Sequence, residues 1–182
     1  MHYMIEKLPG GDRRSIGRSE EMVADVLHDP SLFDLLLRSM LHPDPLLSMR
    51  ASDAAEKVTR QKPELLPPYA ELLLQEVSRV DRQEVRWHLA QMLPRLQLSA
   101  EQRRSAVQIL FGYLNDDSRI VRTMSMQALA DLAEENGDLL PRVIALLRKL
   151  VSADSPAVRS RARKLVQRLE PLASRPAPDS QP

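Results

Sequence analysis

The chain has 182 residues, of which 43% are hydrophobic, and its 26 lysines and arginines nearly balance its 25 aspartates and glutamates. It can therefore bury a core, and it lacks the global charge that would attract nucleic acid or an anionic membrane. Aromatic residues make up only 3% and cysteine is absent, which favours packed helices over sheets and excludes disulfides and thiolate metal sites.

Start and stop signals along the chain predict nine helices joined by short connections. Asp29-Pro30, Asp44-Pro45 and Ser155-Pro156 each place a capping side chain before a proline in the first turn of a helix. Ser99 and Gln102 have the spacing of a capping box. In chain order, the predicted helices span residues 19–28, 30–41, 44–61, 63–79, 82–96, 99–114, 117–136, 138–152 and 155–170.

Neither end of the chain shows helical periodicity. We expect residues 1–18 to form a flexible N-terminal segment, residues 19–171 to form one folded domain, and the proline-rich residues 172–182 to form a disordered tail. No apolar run approaches the ~20 residues of a membrane span, and the N-terminus lacks the basic and apolar regions of a signal peptide. We therefore expect a cytoplasmic protein that makes no contact with a membrane.

A unit of 36 or 37 residues recurs along the predicted helices. Its marker is an apolar residue followed by an arginine on the second helix of each pair, at Met49-Arg50, Val85-Arg86, Val121-Arg122 and Val158-Arg159. Other columns keep the same frame, and the position thirteen residues before the arginine holds Leu37, Leu73, Ile109 and Leu146. A hairpin of this size cannot cover its own apolar stripes, so the hairpins must stack and share one core.

The frame Asp…Val-Arg…Ala-x-x-Leu on each second helix resembles the HEAT repeat family, over about residues 30–170. A tetratricopeptide repeat fits less well, because its tryptophan motif is missing from the first helices and Trp87 lies on a second helix. Residues 85–90 are also similar to uncharacterised bacterial HEAT-repeat proteins. The resemblance implies an all-α fold, a right-handed α-solenoid of about four HEAT-type helical hairpins plus an extra N-terminal helix.

An acid five or six residues before each marker arginine completes a ladder along the predicted stack. The HEAT resemblance implies that these side chains bridge successive repeats as ion pairs and hydrogen bonds. The alternative is a track of arginines for phosphates, which we disfavour because each arginine has its own acid. The ladder comprises Asp44, Arg50, Asp81, Arg86, Asp117, Arg122, Asp154 and Arg159, with Asp116 as the alternative acid of the third repeat.

Trp87 is the candidate anchor for a partner protein. On a helix that advances 100° per residue, the position after the marker arginine falls nearly opposite the core columns. Smaller residues occupy this position in the other repeats: Ala51, Thr123 and Ser160. We expect Trp87 to reach the inner face lined by second helices, and the alternative is that it merely packs across its neighbours. Three residues one turn further along are predicted to share the surface: Gln91, Gln127 and Lys164.

Basic residues are concentrated in the last repeat, since residues 139–170 hold eight basic residues and two acids. This surplus has two alternative explanations. Either the last repeat caps the stack with a solvent-exposed polar face, or it contacts nucleic-acid phosphates or an acidic protein. We favour capping. The residues of the alternative contact, which would suit a HEAT-like DNA-repair protein, are Arg159, Arg161, Arg163 and Arg168.

Residue patterns typical of enzymes are missing. The histidines do not pair at metal-ligand spacing, and the chain has neither a glycine-rich phosphate loop nor a nucleophile elbow. HEAT-like lyases and hydroxylases lead us to expect His-Glu metal dyads or catalytic acids in a groove, and the sequence shows neither. We therefore predict a non-catalytic scaffold that binds another protein without metal, cofactor or small-molecule substrate, and nucleic-acid binding is the alternative function.

Overall fold

The computed structural model describes residues 17–152 and 155–174, and these residues form nine α-helices and no β-strand. The helices agree with those expected from the start and stop signals, except where prolines interrupt them. Their bounds are α1 (Gly17–His28), α2 (Phe33–Ser39), α3 (Pro45–Gln61), α4 (Ala70–Gln75), α5 (Gln83–Met92), α6 (Ala100–Tyr113), α7 (Arg119–Glu134), α8 (Leu140–Leu150) and α9 (Pro156–Ala173).

Side-chain caps fix several helix starts. The carboxylate of Asp44 accepts hydrogen bonds from the first backbone N–H groups of α3, at 2.8 and 3.3 Å, and Pro45 occupies the first turn. At α6 the capping box of Ser99 and Gln102 is complete, since each side chain accepts a hydrogen bond from the other residue's backbone N–H. These bonds satisfy N–H groups that have no partner inside the helix.

The predicted helix over residues 63–79 is wrong as a continuous α-helix. The segment consists of the 3-10 turns Pro63–Leu65 and Pro67–Tyr69, the short helix α4, and the 3-10 turn Val77–Arg79. Prolines at 67 and 68 have no N–H to donate, and their rings collide with the preceding turn, so an α-helix cannot run through them. The predicted helix 30–41 likewise begins with a 3-10 turn, Pro30–Leu32, before α2.

The helices form two rows. The first-helix row contains α2, α4, α6 and α8, and the second-helix row contains α3, α5, α7 and α9, each helix of which packs closely against the next. Helix α1 packs against α3 and so extends the second-helix row by one member. Consecutive first helices touch far less. Because the second helices lie closer together, their row is on the inner side of the curved stack.

One continuous apolar core runs between the rows from Met22 to Leu169. Each hairpin contributes residues from the repeat columns, among them the fully buried Leu37 and Leu73 of first helices and Leu89 and Leu129 of second helices. This is the shared core that the period of 36 or 37 residues predicts, and it makes the chain an α-solenoid. No described helix is both long and apolar enough to cross a membrane.

The folded region differs slightly at both ends from the expected range 19–171. Helix α1 begins at Gly17, and α9 continues through Pro171 to Ala173. Pro171 lies in the last turn of the helix, so the backbone hydrogen bond that it cannot donate is lost at the end of the helix and not in its middle. The remainder of the predicted flexible N-terminal segment and most of the predicted tail, residues 1–16 and 175–182, lie outside the described residues.

We predict that Leu89→Ala lowers the free energy of unfolding by about 2–5 kcal/mol, because it removes a fully buried side chain and leaves a cavity. Urea denaturation followed by far-UV circular dichroism measures the change. Ser160→Ala, at an exposed position on α9, is the control and should shift the value by less than about 0.5 kcal/mol. A loss below ~1 kcal/mol for Leu89→Ala would contradict the shared core.

Candidate partner-binding surface

The four residues predicted to bind a partner lie on three consecutive second helices. Trp87 and Gln91 are one turn apart on α5, Gln127 is on α7, and Lys164 is on α9. The structure brings the two glutamines together as facing walls of one groove. Trp87 lies beside that groove on α5, and Lys164 is exposed on the next helix.

The groove between α5 and α7 has a volume of about 350 Å³ and opens on the inner face. Its floor is formed by short or flexible apolar residues, Ala90, Pro94, Met124 and Ala128. Small residues such as alanine at this position let neighbouring helices approach closely while leaving a depression at the surface. Its walls carry polar groups, namely Gln91, Arg95, Gln127, Asp131 and Arg161.

Hydrogen bonds hold the α7 wall of the groove against α9. Arg161 donates from Nη1 to Oε1 of Gln127 at 2.7 Å, and Gln127 donates from Nε2 to Oδ1 of Asp131 at 2.8 Å. Arg168 donates to the same Asp131 oxygen at 2.7 Å and forms a 2.8 Å ion pair with Glu134. These bonds fix the rotamer of Gln127, so the wall is preorganised before any ligand arrives.

The same bonds change the interpretation of the basic last repeat. Of the four arginines predicted as a phosphate or acidic-partner contact, Arg161 and Arg168 point back to α7 and bind its amide and carboxylates. Arg159 is half-buried, and only Arg163 is fully exposed. The structure therefore does not bring the four together as one exposed cationic surface.

Trp87 is half-buried on the inner face, and its ring lies over His88, with ring centroids 5.3 Å apart and planes inclined at 59°. The equivalent Ala51 and Thr123 are buried between second helices, whereas Ser160, at the end of the row, is exposed. This column therefore faces the next second helix. The large ring of Trp87 extends beyond the space that a small residue fills, so part of it remains accessible.

Ile120 is a surface residue that the sequence interpretation missed. Its side chain is 46% exposed, and it is the one exposed large hydrophobic residue in the described part of the chain. It lies seven residues before Gln127, and helical geometry places residues i, i+4 and i+7 on one face. Ile120, Met124 and Gln127 thus form a stripe along α7, and Met124 and Gln127 line the groove. The i, i+4, i+7 spacing of these residues in the sequence could have identified this stripe.

His88 lies beneath Trp87 in the contact between α3 and α5. Burial lowers the pKa of His88 to about 4, because desolvation disfavours the imidazolium. The charges of Lys57 and Arg60 lower the pKa further, and those of Asp53 and Glu56 oppose the shift. Its ring nitrogen Nδ1 has no hydrogen-bond partner among the described residues. His88 is therefore neutral at neutral pH and acts as part of the packing.

Glu56 holds α3 and the following repeat together. Its side chain is 2% exposed and binds Arg60 at 2.6 Å and Arg95 at 2.5 Å. Arg95 also donates to the hydroxyl of Thr59 at 2.9 Å. The sequence interpretation missed this clamp, although an acid in a column that is apolar in the other repeats was a usable signal.

The predicted ladder is realised at the joint between the second and third repeats. Arg86 forms ion pairs with Asp81 of its own repeat at 2.9 Å and with Asp116 of the next at 2.6 Å. Its guanidinium also lies 5.5 Å from the ring centre of Tyr113. The acid of the third repeat is therefore Asp116, and the choice of Asp117 was wrong, because Asp117 is exposed on the loop while Asp116 turns inward.

The other ladder positions behave differently from this joint. Asp44 caps α3, Arg50 is buried, and Asp154 lies outside the described residues. The Nε of Arg122 has no hydrogen-bond partner in the described part of the chain. Because Arg50 is buried, the four arginines do not form an open track for phosphates.

Backbone carbonyls add hydrogen bonds at the first two joints, where Glu56 also pairs with Arg95. Arg82 donates to the carbonyls of His42 and Pro43, both at 2.8 Å. Lys62 donates to the carbonyl of Leu27 at 2.8 Å, which ties α3 to the C-terminal end of α1. Within residues 17–152 and 155–174, no three His, Asp or Glu side chains form a group that could hold a metal ion.

Comparison with known proteins identifies relatives of this fold. A family model described as HEAT repeats matches residues 70–167. Two engineered proteins solved by the Northeast Structural Genomics Consortium are similar in structure: one has a TM-score of 0.61 and 19% identity, covering 92% of this chain and 80% of its own. The other has a TM-score of 0.61 and 15% identity, and the match covers 92% of this chain and 78% of that protein. Such identities show the fold alone. No curated protein matches the chain.

We predict that Glu56→Ala lowers the free energy of unfolding by about 2–4 kcal/mol, because it leaves the partly buried guanidinium of Arg95 without its carboxylate. Urea denaturation of the single and double variants with Arg95→Ala measures the coupling between the two residues. Glu20→Ala removes an exposed acid 4.0 Å from Lys57 and should change stability by less than about 0.5 kcal/mol. Additive effects of Glu56→Ala and Arg95→Ala would rule out the clamp.

We predict that stability falls on acidification because of His88. With a pKa of about 4 in the folded chain and 6.5 as the ordinary value, the unfolded chain takes up the proton first. The stabilisation is therefore complete above pH 6.5 and is lost as the pH falls towards 4. Between pH 7 and pH 5 the loss is about 2 kcal/mol.

Urea denaturation at the two pH values, with wild type and His88→Gln compared, isolates this contribution. The other three histidines are common to both proteins, so the difference belongs to His88. We expect His88→Gln to lose about 2 kcal/mol less than wild type on acidification. Equal losses in both proteins would show that His88 does not drive the pH dependence.

Proposed function

The chain belongs to the HEAT-repeat family, whose model matches more than half of it, and from this premise we propose that it is a non-catalytic scaffold that holds another protein on its inner face. HEAT repeats generally mediate protein interactions by presenting the surface of a helical stack. The observation that carries the proposal for this chain is the groove between α5 and α7, with the exposed Ile120 one helical turn before its lining residue Met124.

The chemistry of the groove suits a polypeptide. Its apolar floor can accept a side chain. The amides of Gln91 and Gln127 already form hydrogen bonds within the chain, but each has a second N–H and a second oxygen lone pair, so each can also bond to a peptide backbone. Ile120 and Trp87 add apolar area beside the polar walls. A partly buried apolar centre within a polar rim is the usual anatomy of a protein interface.

Nucleic-acid binding through the last repeat remains the alternative function, with less support. It required a free cationic surface, whereas Arg161 and Arg168 are bound to α7. The described aromatic residues also offer little for base stacking, since Tyr113 is buried and Phe33 is fully enclosed.

We predict that Trp87→Ala and Ile120→Asp each weaken binding of the partner by roughly tenfold or more, because each removes apolar contact area from the proposed interface. The partner is first captured from the native cell with the full chain, identified, purified and then titrated by calorimetry. Ile120→Asp should change the unfolding free energy by less than about 0.5 kcal/mol, since the side chain is already exposed.

The matched control is Ala157→Asp, in the same repeat column on α9 but outside the groove. It should retain the affinity of wild type. The proposal fails if Ile120→Asp and Trp87→Ala bind the partner as wild type does, and a Trp87→Ala protein that melts early yet binds normally would assign Trp87 to packing alone.

A further inference from the structure

A second groove, of about 480 Å³, opens on the first-helix row between the starts of α6 and α8. It lies on the side of the stack away from the inner face, so it is independent of the surface proposed above. Three arginines line it: Arg103 and Arg104 from α6, and Arg142 from α8. The inner groove between α5 and α7 and this outer groove between α6 and α8 lie on different rows, so they need not bind the same ligand.

The three guanidinium groups differ from the arginines that join repeats. Arg86, Arg95 and Arg168 each bind a carboxylate of a neighbouring repeat. No arginine of the outer groove forms an ion pair with any acid in residues 17–152 and 155–174, although Asp138 lines the same groove. Three cations without carboxylate partners raise the positive potential in one groove, and such a potential attracts anions.

Two of the guanidinium groups are positioned by their surroundings. That of Arg142 lies 4.1 Å from the ring centre of Phe111, and stacking of this kind uses the flat face while the N–H edges stay available to a carboxylate. Arg103 makes one long hydrogen bond of 3.5 Å to the carbonyl of Leu98. The start of α8 adds positive potential, because Leu139 at its N-cap offers no side-chain acceptor.

The surroundings of the groove limit the kind of anion it fits. Val107 and Leu139 supply an apolar floor, and one acid, Asp138, lines the groove as well. The exposed acids Glu101 and Glu135 stand next in sequence to the lining residues Ala100 and Asn136. A nucleic-acid backbone, which carries a charge every few ångströms, would meet these acids beyond the groove. In a short peptide with a few carboxylates around one apolar residue, the carboxylates can pair with the arginines while the apolar residue packs on the apolar floor.

We propose that this outer groove binds a short acidic peptide segment of a partner protein, whose carboxylates pair with Arg104 and Arg142. The pairs are charge-assisted and, with arginine, able to form two parallel hydrogen bonds to one carboxylate. The inner face and the outer groove are then separate sites on one scaffold, and the chain can hold two protein segments on opposite rows.

Fluorescence anisotropy with the full chain tests the proposal. The probe is a short fluorescein-labelled peptide with several glutamates around one leucine, and the matched peptide has glutamines in place of the glutamates. We expect the acidic peptide alone to bind, with an affinity that falls as salt is added. The double variant Arg104→Gln/Arg142→Gln should weaken binding roughly tenfold or more.

Arg163→Gln is the matched control, because it removes an exposed arginine on α9, away from the groove. It and Trp87→Ala should bind the acidic peptide as wild type does, which separates this site from the inner face. Arg104→Gln alone, at an exposed position, keeps the test valid if the double variant is unstable by circular dichroism.

Three outcomes would overturn the proposal. They are equal affinity for the acidic and the glutamine peptides, unchanged affinity in both Arg104 variants, or a labelled DNA duplex that binds more tightly than the acidic peptide and is lost in the same variants. The last would assign the groove to nucleic acid.

Discussion

Side-by-side packing of the second helices is the contact on which the rest of the molecule depends. A single hairpin leaves apolar stripes on two sides, and only the next hairpin can cover them. Alanines such as Ala51 and Ala90 are fully buried in this row, which lets the helices approach closely. The first helices lie further apart, so the stack curves and the second helices line its inner side.

Polar contacts then fix how far each repeat turns against the next. The clamp of Glu56 with Arg95, the pair of Arg86 with Asp116, and the pair of Arg168 with Asp131 each join a different pair of repeats. The chemistry changes from joint to joint while the apolar contact stays the same. These bonds also occupy most arginines of the inner face, which leaves amides and apolar groups to meet a partner and leaves uncompensated cations on the outer row.

The repeat and the stacking of the hairpins were predictable because they follow from periodicity. A spacing of 36 or 37 residues placed Gln91 and Gln127 in one column, and the structure brings them together across one groove. Trp87 is half-buried and so serves packing in part, and its contact with a partner stays a prediction.

Contacts between repeats were less predictable, because a column shows which residues are equivalent and not which residues of different columns meet. Asp116 and Asp117 have the same spacing to within one residue, and only the loop geometry selects Asp116. The basic surplus of the last repeat likewise hid the fact that Arg161 and Arg168 turn towards α7. The broken helix around Pro67 shows local chemistry overriding the repeat.

Site-specific photocrosslinking tests the central claim most directly. A photoreactive amino acid replaces Gln91 on the inner face, or the exposed Gln75 on α4 in the first-helix row, and the purified chain is irradiated with the partner it captures from the cell. The account predicts a covalent adduct from position 91 and none from position 75. An adduct from position 75 with none from position 91 would show that the inner face is not the surface that holds the partner.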